Sequence, residues 1–372
     1  MASSLLKQLY QFGQSPWYDN IDRRLIASGE LKSFFERGIV GVTSNPTIFE
    51  KAVKGSDVYD GKIKRLKAQG ADTAEICEVL TTDDVRDAAD LLREVYERTQ
   101  GVDGWVSIEV SPAYAHDAQK TIAHGQRLIN RVDRPNIMIK VPGTVEGGEA
   151  VAALIAQGIS VNVTLLFSRQ HYLRAAQAYW QGLEELSRTG ARLDSVASVA
   201  SVFVSRIDTK VDGLLDVFSS RQEVLEKRTA LEALRGRAAI ANTRMIYQDF
   251  KSFFTENKFG PLKMLGARPQ RPLWASTSTK NPAYGDCLYV DSLIGPMTVN
   301  TMPHATVLAF EDHGKPALTL EQGLGEDRDL LKALAGLGIE IDKICEETQV
   351  EGIRAFETSF DALLKAIEEK AG

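Results

Sequence analysis

A single lysine, Lys140, stands near the end of a short apolar run, IMIKVP at residues 137–142. Other apolar runs end on polar side chains of the kinds that move protons or bind hydroxyls. Asp19 follows PWY. Asn45 follows GIVGVTS. Glu109 sits in VSIEV, Asn162 and Thr164 in VNVTLL, and Ser201 in SVASVF. An amine shielded from water can attack a carbonyl as its neutral form and make a Schiff base. Carboxylates and hydroxyls beside it would carry the protons. A lysine with that company suits carbon–carbon bond chemistry, with the iminium as electron sink.

Each residue also has a plain reading. A strand-end lysine can extend its ammonium into water while its stem covers apolar surface. Asp19 could cap the following helix, Asn45 could be a turn residue before Pro46, and Glu109 could pair with a surface cation. Asn162 and Thr164 could lie on an exposed strand face. What decides between the readings is whether one fold brings all these strand ends to one place.

The period of two in strands puts Ile137 and Ile139 on one face and Met138 and Lys140 on the other. In the next run Val161, Val163 and Leu165 share a face, and Asn162 and Thr164 share its opposite. Between the two runs lie a glycine-rich turn, GTVEGG, and an alanine-rich helical stretch ended by Gly158. This is a strand–helix–strand unit, the building block of parallel sheets. Strand candidates end near Asp19, Asn45, Glu109, Lys140, Thr164, Phe203, Thr277 and Met302. Eight of them, each followed by helical or loop material, predict a closed TIM-type (β/α)8 barrel. Sites in such barrels form at the C-terminal strand ends, where these polar residues fall. The other candidate is a doubly wound open sheet, but no glycine-rich dinucleotide fingerprint follows the first strand.

The connecting segments read as helices. Residues 3–12, 23–37 and 51–100 are helical in character, with an N-cap expected at Thr81–Thr82–Asp83–Asp84 before a helix over 85–100. Tyr172, Ala175, Ala176, Tyr179, Leu183 and Leu186 fall at spacings of three and four. Residues 208–257 look like a helical insertion, residues 319–370 like C-terminal helices, and residues 288–294 are ambiguous. No repeat, low-complexity segment or linker divides the 372 residues, so one domain is expected.

Composition narrows the partners. A net charge of −6 argues against broad nucleic-acid binding. An anionic substrate would need a local group of cations. The three cysteines are far apart and the five histidines scattered, so neither a disulfide framework nor a zinc site is expected. No apolar run reaches the ~18–20 residues that span a bilayer, and no apolar signal core opens the chain. A cytoplasmic protein is expected, without a membrane partner. The sequence does not fix the oligomeric state, and a homo-oligomer is compatible with it.

At its chemical residues the chain resembles the transaldolase family. The likeness runs through GVTSNPTIF, VSIEV, IMIKVPGT, VNVTLLFS and SVFVSRID, and covers nearly the whole chain. It is nearest the longer bacterial subgroup, with WYDNI early and WASTSTKNP late. The resemblance implies a barrel with its Schiff-base lysine, here Lys140, on the fourth strand. It implies transfer of a dihydroxyacetone unit within the pentose phosphate pathway. The unit would move from sedoheptulose 7-phosphate or fructose 6-phosphate to glyceraldehyde 3-phosphate or erythrose 4-phosphate, with no cofactor and no metal. Glu109 and Thr164 would hold the catalytic water, and Asp19 would take the hydroxyl proton. Asn45, Asn162 and Ser201 would bind donor hydroxyls, and Phe203 would shape the pocket. Arg206 and Ser276 match phosphate-binding positions. Many transaldolases carry an arginine where this chain has Ser278, and Lys280 is expected to supply the missing cation.

Two other functions fit parts of the pattern. The related fructose 6-phosphate aldolases release free dihydroxyacetone, but they are shorter and have glutamine and tyrosine where this chain has Glu109 and Phe203. A non-catalytic sugar-phosphate binding barrel would not need an imine-forming amine.

Overall fold

The computed structural model describes residues 4–372. Eight parallel strands close into a barrel in sequence order. They are β1 (Gln14–Tyr18), β2 (Gly41–Thr43), β3 (Trp105–Glu109), β4 (Ile137–Pro142), β5 (Val161–Leu166), β6 (Ser198–Phe203), β7 (Arg271–Ala275) and β8 (Thr298–Met302). All eight expected strands are present, and each ends within a few residues of its expected position. The TIM-type barrel is therefore the fold, and the open sheet is not.

Register fixes which side chains meet. Glu109 of β3 lies opposite Lys140 of β4, and Lys140 lies opposite Asn162 of β5. Three polar residues on adjacent strands are thus successive neighbours along the ladder. On β5 the ladder slips between Val163 and Leu166, where the strand bulges against β6. The alternation read from sequence holds to Thr164 and breaks at Leu165, which adopts φ 58. A bulge of this kind bends a strand and re-aims its side chains, and such bulges often lie beside active sites.

The turn after β4 is tight for a local reason. Thr144 caps the helix Val145–Ala156 by accepting a hydrogen bond from the Gly147 amide. A β-carbon on Gly147 would lie 1.9 Å from the Pro142 carbonyl oxygen, so only glycine lets the chain turn this closely behind Lys140. The expected apolar stripe of the helix Arg169–Arg188 is buried on the barrel at all six positions.

The helices differ from expectation in their divisions. The stretch 23–37 is two helices, Arg23–Ala27 and Glu30–Arg37, parted at Gly29 with φ 80. The stretch 51–100 is four, beginning with Pro46–Lys54 and including Thr73–Leu91. The N-cap is Asp72, whose side chain accepts from the Glu75 amide, and not the group at 81–84. Those residues lie inside the helix. The Thr81 and Thr82 hydroxyls bond back to carbonyls one turn earlier, while Asp83 and Asp84 pair with Lys62, Arg86 and Arg23. Polar side chains that find partners within and across helices lose their value as helix-start signals.

Four helices lie between β6 and β7, spanning Ser205 to Met264, so this segment is longer than the expected insertion. Residues 288–292 are a short helix. After β8 come the helices His304–His313 and Leu324–Gly336 and a 31-residue helix, Ile341–Ala371. This last helix returns to the C-terminal mouth of the barrel, bringing Phe356 against the strand ends. Among the described residues no helix is long and apolar enough to cross a membrane. The three cysteines are free and buried.

Candidate active site

Lys140 is 3% exposed, a burial that a lysine tolerates only with partners. Its Nζ donates to the Ser44 carbonyl at 3.1 Å and lies 3.3 Å from Glu109 Oε2. The Phe356 ring covers it from the C-terminal helix, 5.6 Å from Nζ to the centroid. The lysine is therefore not a solvent-facing strand-end residue. It sits at the floor of a cleft of about 330 Å³ at the C-terminal ends of the strands.

Glu109 has almost no exposed side chain, and neither carboxylate oxygen makes a hydrogen bond to a protein group. Its contact with Lys140 is an ion pair without hydrogen-bond alignment. Burial pushes the carboxyl from an ordinary 4.5 to about 7, against the pull of the Lys140 charge. It is therefore poised to exchange a proton near neutral pH. Thr164 Oγ1, fully buried and facing the cleft, also lacks a protein partner. Buried polar atoms seek partners. A carboxylate and a hydroxyl left unpaired around a lysine make a place for a water or a substrate oxygen.

Asp19 follows β1, and its amide continues the ladder to the Met302 carbonyl at 2.9 Å. Its Oδ1 accepts from Thr43 Oγ1 at 2.7 Å, and Thr43 in turn touches Thr301 Oγ1 at 2.7 Å. Burial pushes the Asp19 carboxyl up, while Lys140 and Thr43 hold it down. Asn45 serves two purposes. Its Oδ1 caps the helix Pro46–Lys54 by accepting from the Ile48 amide, a helix start where the plain reading expects a turn residue. The residue still lines the cleft, together with Ser201 and Phe203.

Asn162 does not line the cleft. It is fully buried one level down, donating to Ser107 Oγ at 3.0 Å and accepting from Ser201 Oγ at 2.6 Å. Glu109 likewise lies behind Lys140 and borders a smaller cavity beside Ser44, Asn45 and Tyr114. The remaining nine sequence candidates all line the one cleft.

Its rim is cationic. Arg206 lies on the first turn of the helix Ser205–Ser220, its guanidinium 5.3 Å from the centroid of the Phe203 ring. Asp208 does not neutralise it, because that carboxylate takes the Ala239 amide and the Tyr289 hydroxyl. Among the described residues Arg206 has no ion pair, and burial pushes its pKa down. Lys280 bonds Ser278 Oγ at 2.7 Å and is also pushed down, by desolvation and then by Arg206 and Lys51. A lysine crowded by two further cations in this way suits an anion. Ser276 lines the same cleft with φ 55, its Oγ 3.0 Å from Ser205 Oγ. A non-glycine residue held at positive φ at a cleft often reflects functional positioning.

The model for transaldolase/fructose-6-phosphate aldolase matches residues 16–367. The chain belongs to that family. A transaldolase from Trichodesmium erythraeum is 44% identical over 100% of this chain and 98% of its own length. One from Parafrankia is 44% identical over 100% and 99%, and one from Mycolicibacterium smegmatis 43% over 98% and 96%. These transaldolase relatives match the chain end to end.

The cleft also has contributors that the sequence does not single out, among them Thr43, Lys51, Thr301 and Phe356. Thr43 and Thr301 end apolar runs and could have been found by the rule that found Asn45. Lys51, on a charged helix, and Phe356, from the last helix, carry no local signal. Among the described residues Asp286, Cys287 and His313 bring possible metal-ligand atoms within 4.8 Å of one another. None of them lines the cleft, and His313 Nε2 is already 2.8 Å from Asp286.

Proposed function

We propose that this chain is a transaldolase that works through a Schiff base on Lys140, within one barrel domain. The single observation that carries the reading is the buried Lys140 amine, 3.3 Å from a carboxyl poised near 7, below a rim of unpaired cations. In this reading Lys140 passes its proton to Glu109 and attacks the C2 carbonyl of a ketose phosphate. The resulting carbinolamine loses water as Glu109 and Thr164 return protons to its hydroxyl, leaving an iminium. The iminium withdraws the electrons of the C3–C4 bond, and Asp19 accepts the C4 hydroxyl proton as the aldose phosphate leaves. A three-carbon enamine remains on Lys140. It attacks the aldehyde carbon of a second aldose phosphate, which takes the proton back from Asp19. Hydrolysis then frees the new ketose phosphate.

Asn45 and Ser201 would bind the donor hydroxyls, with Asn162 orienting Ser201 from beneath. Phe203 would shape the wall and stack Arg206. Arg206, Ser276, Lys280 and Lys51 would hold the phosphate, the two lysines replacing the arginine absent at Ser278. The substrates are sugar phosphates of the pentose phosphate pathway.

Borohydride trapping tests this. Wild-type protein with fructose 6-phosphate should gain one reduced three-carbon unit, mapped to Lys140, and Lys140→Met should gain none and lose turnover. An adduct on Lys280, or an active Lys140→Met protein, would overturn the assignment. Release of free dihydroxyacetone in place of transfer to erythrose 4-phosphate would favour the aldolase activity named in the family description.

A further inference from the structure

The bulge on β5 is held from outside the barrel by one side chain. Gln349, on the C-terminal helix Ile341–Ala371, is 6% exposed. Its Nε2 donates to the Leu165 carbonyl at 2.8 Å and to the Gly143 carbonyl at 3.2 Å. Gly143 directly follows β4, and its own amide donates to the Thr164 carbonyl at 2.8 Å. Both carbonyls that flank the left-handed Leu165 are therefore tied. One side-chain amide joins the end of the strand bearing Lys140 to the end of the strand bearing Thr164.

Leu165 has no intrinsic reason to adopt φ 58. Branched L-residues avoid that region, and it persists only where the surroundings fix it. Released from the clamp, the chain at Leu165 would relax from this conformation and shift the backbone just before it. The Thr164 hydroxyl, which has no protein partner of its own, would then be free to turn from the cleft. The helix makes other contacts at the mouth, among them Thr47 with Ser359 and His171 with Glu346. Among the described residues of this helix, the Gln349 amide is the group that bonds the Leu165 carbonyl.

We propose that Gln349 is a positioning residue for proton transfer: by clamping the Leu165 bulge to Gly143, it holds the Thr164 hydroxyl at Lys140. This rests on the reading of Thr164 as part of the relay. The substrate phosphate is held elsewhere in the cleft, so losing the clamp slows imine formation and hydrolysis and leaves phosphate binding intact.

The test is a double-mutant cycle of Gln349→Met and Thr164→Val, read by the rate of borohydride-trappable imine formation, kcat and KM. Methionine keeps the volume and removes both donors. Misplacement on the ångström scale costs up to about 100-fold, so Gln349→Met should lower kcat roughly 10- to 100-fold with KM for the phosphorylated donor unchanged. In the Thr164→Val background it should cost almost nothing further. Glu346→Ala, which loosens the same helix one turn away, should leave kcat near wild type. Equal losses from Gln349→Met with and without Thr164 would overturn the proposal, as would a rise in KM matching the fall in kcat. A Thr164→Val enzyme with normal turnover would instead show that the reading of Thr164 had failed, and the proposal with it. If Gln349→Met does not fold, Gln349→Leu in the same cycle gives the same comparison.

Discussion

Replacing Glu109 by glutamine removes one titrating proton and almost no volume, so its effects on rate and on stability can be worked out separately. A positioned proton carrier contributes ~10²- to 10⁴-fold to rate, and Glu109→Gln should lose donor cleavage by that order. The limb near pH 7 in the wild-type pH profile should vanish with it. The stability effect has a definite sign. The folded protein keeps the Glu109 proton up to about pH 7, and the ordinary value is 4.5. The folded state is therefore favoured by proton binding below the ordinary value, and that advantage fades as pH rises through 7. At ~1.4 kcal/mol for each tenfold change in proton affinity, the difference is about 3 kcal/mol. Glutamine has no proton to lose. Denaturant unfolding at a series of pH values should show the variant gaining about 3 kcal/mol on wild type between roughly pH 4 and pH 8. The other raised carboxyls, Asp19, Asp84, Asp208, Asp291 and Glu311, are common to both proteins. A stability difference that stays flat across this range would refute the claim that burial of this carboxyl raises its pKa.

Two further substitutions probe other parts of the molecule. A β-carbon on Gly352 would lie 3.0 Å from Leu165 Cδ2 and 3.2 Å from Arg206 Nη1, so Gly352→Ala should displace the guanidinium. It should raise KM for phosphorylated substrates, less than the ~10- to 100-fold expected of Arg206→Ala, and change kcat less than KM; steady-state kinetics checks this. At the opposite end of the barrel Arg271 pairs with the fully buried Asp103 at 3.0 Å and donates to Ser15 Oγ at 2.8 Å. Arg271→Met strands that carboxylate and should cost about 3–5 kcal/mol in denaturant unfolding, without altering the imine on Lys140.

The site was legible where a single strand end delivers a residue. Asp19, Glu109, Lys140 and Thr164 all sit where apolar alternation gives way to polar side chains, and register then brings them together. What could not be read depends on contacts distant in sequence. Phe356 and Gln349 reach the mouth from the last helix, and nothing local marks either residue. The left-handed Leu165 and Ser276 are equally hidden, because neither is glycine and the surroundings impose the conformation. The misplaced N-cap at 81–84 has the converse origin. Four good capping residues in a row were drawn into ion pairs and back-bonds on a continuing helix. Period two puts Asn162 on the face of Thr164 but does not give its depth in a layered barrel, where it lies below the cleft.

The seam of the barrel has a consequence for how activity is acquired. β1 meets β2 at one register pair, Tyr18 with Val42, but meets β8 at five. The first strand is therefore held mainly by the last, through contacts such as Gln14 with Thr298, 284 residues apart. Contacts that distant form late, since the entropy of closing the intervening chain is lost before they can reward it. Lys140, Glu109 and Thr164 belong to neighbouring β/α units and can assemble early. Asp19 comes in with β1. During refolding the amine and the Glu109 carboxyl are thus expected to meet before the residue that accepts the proton of bond cleavage, while the Gln349 clamp on Thr164 arrives with the last helix. A chain at that stage could capture a ketose yet be unable to split it.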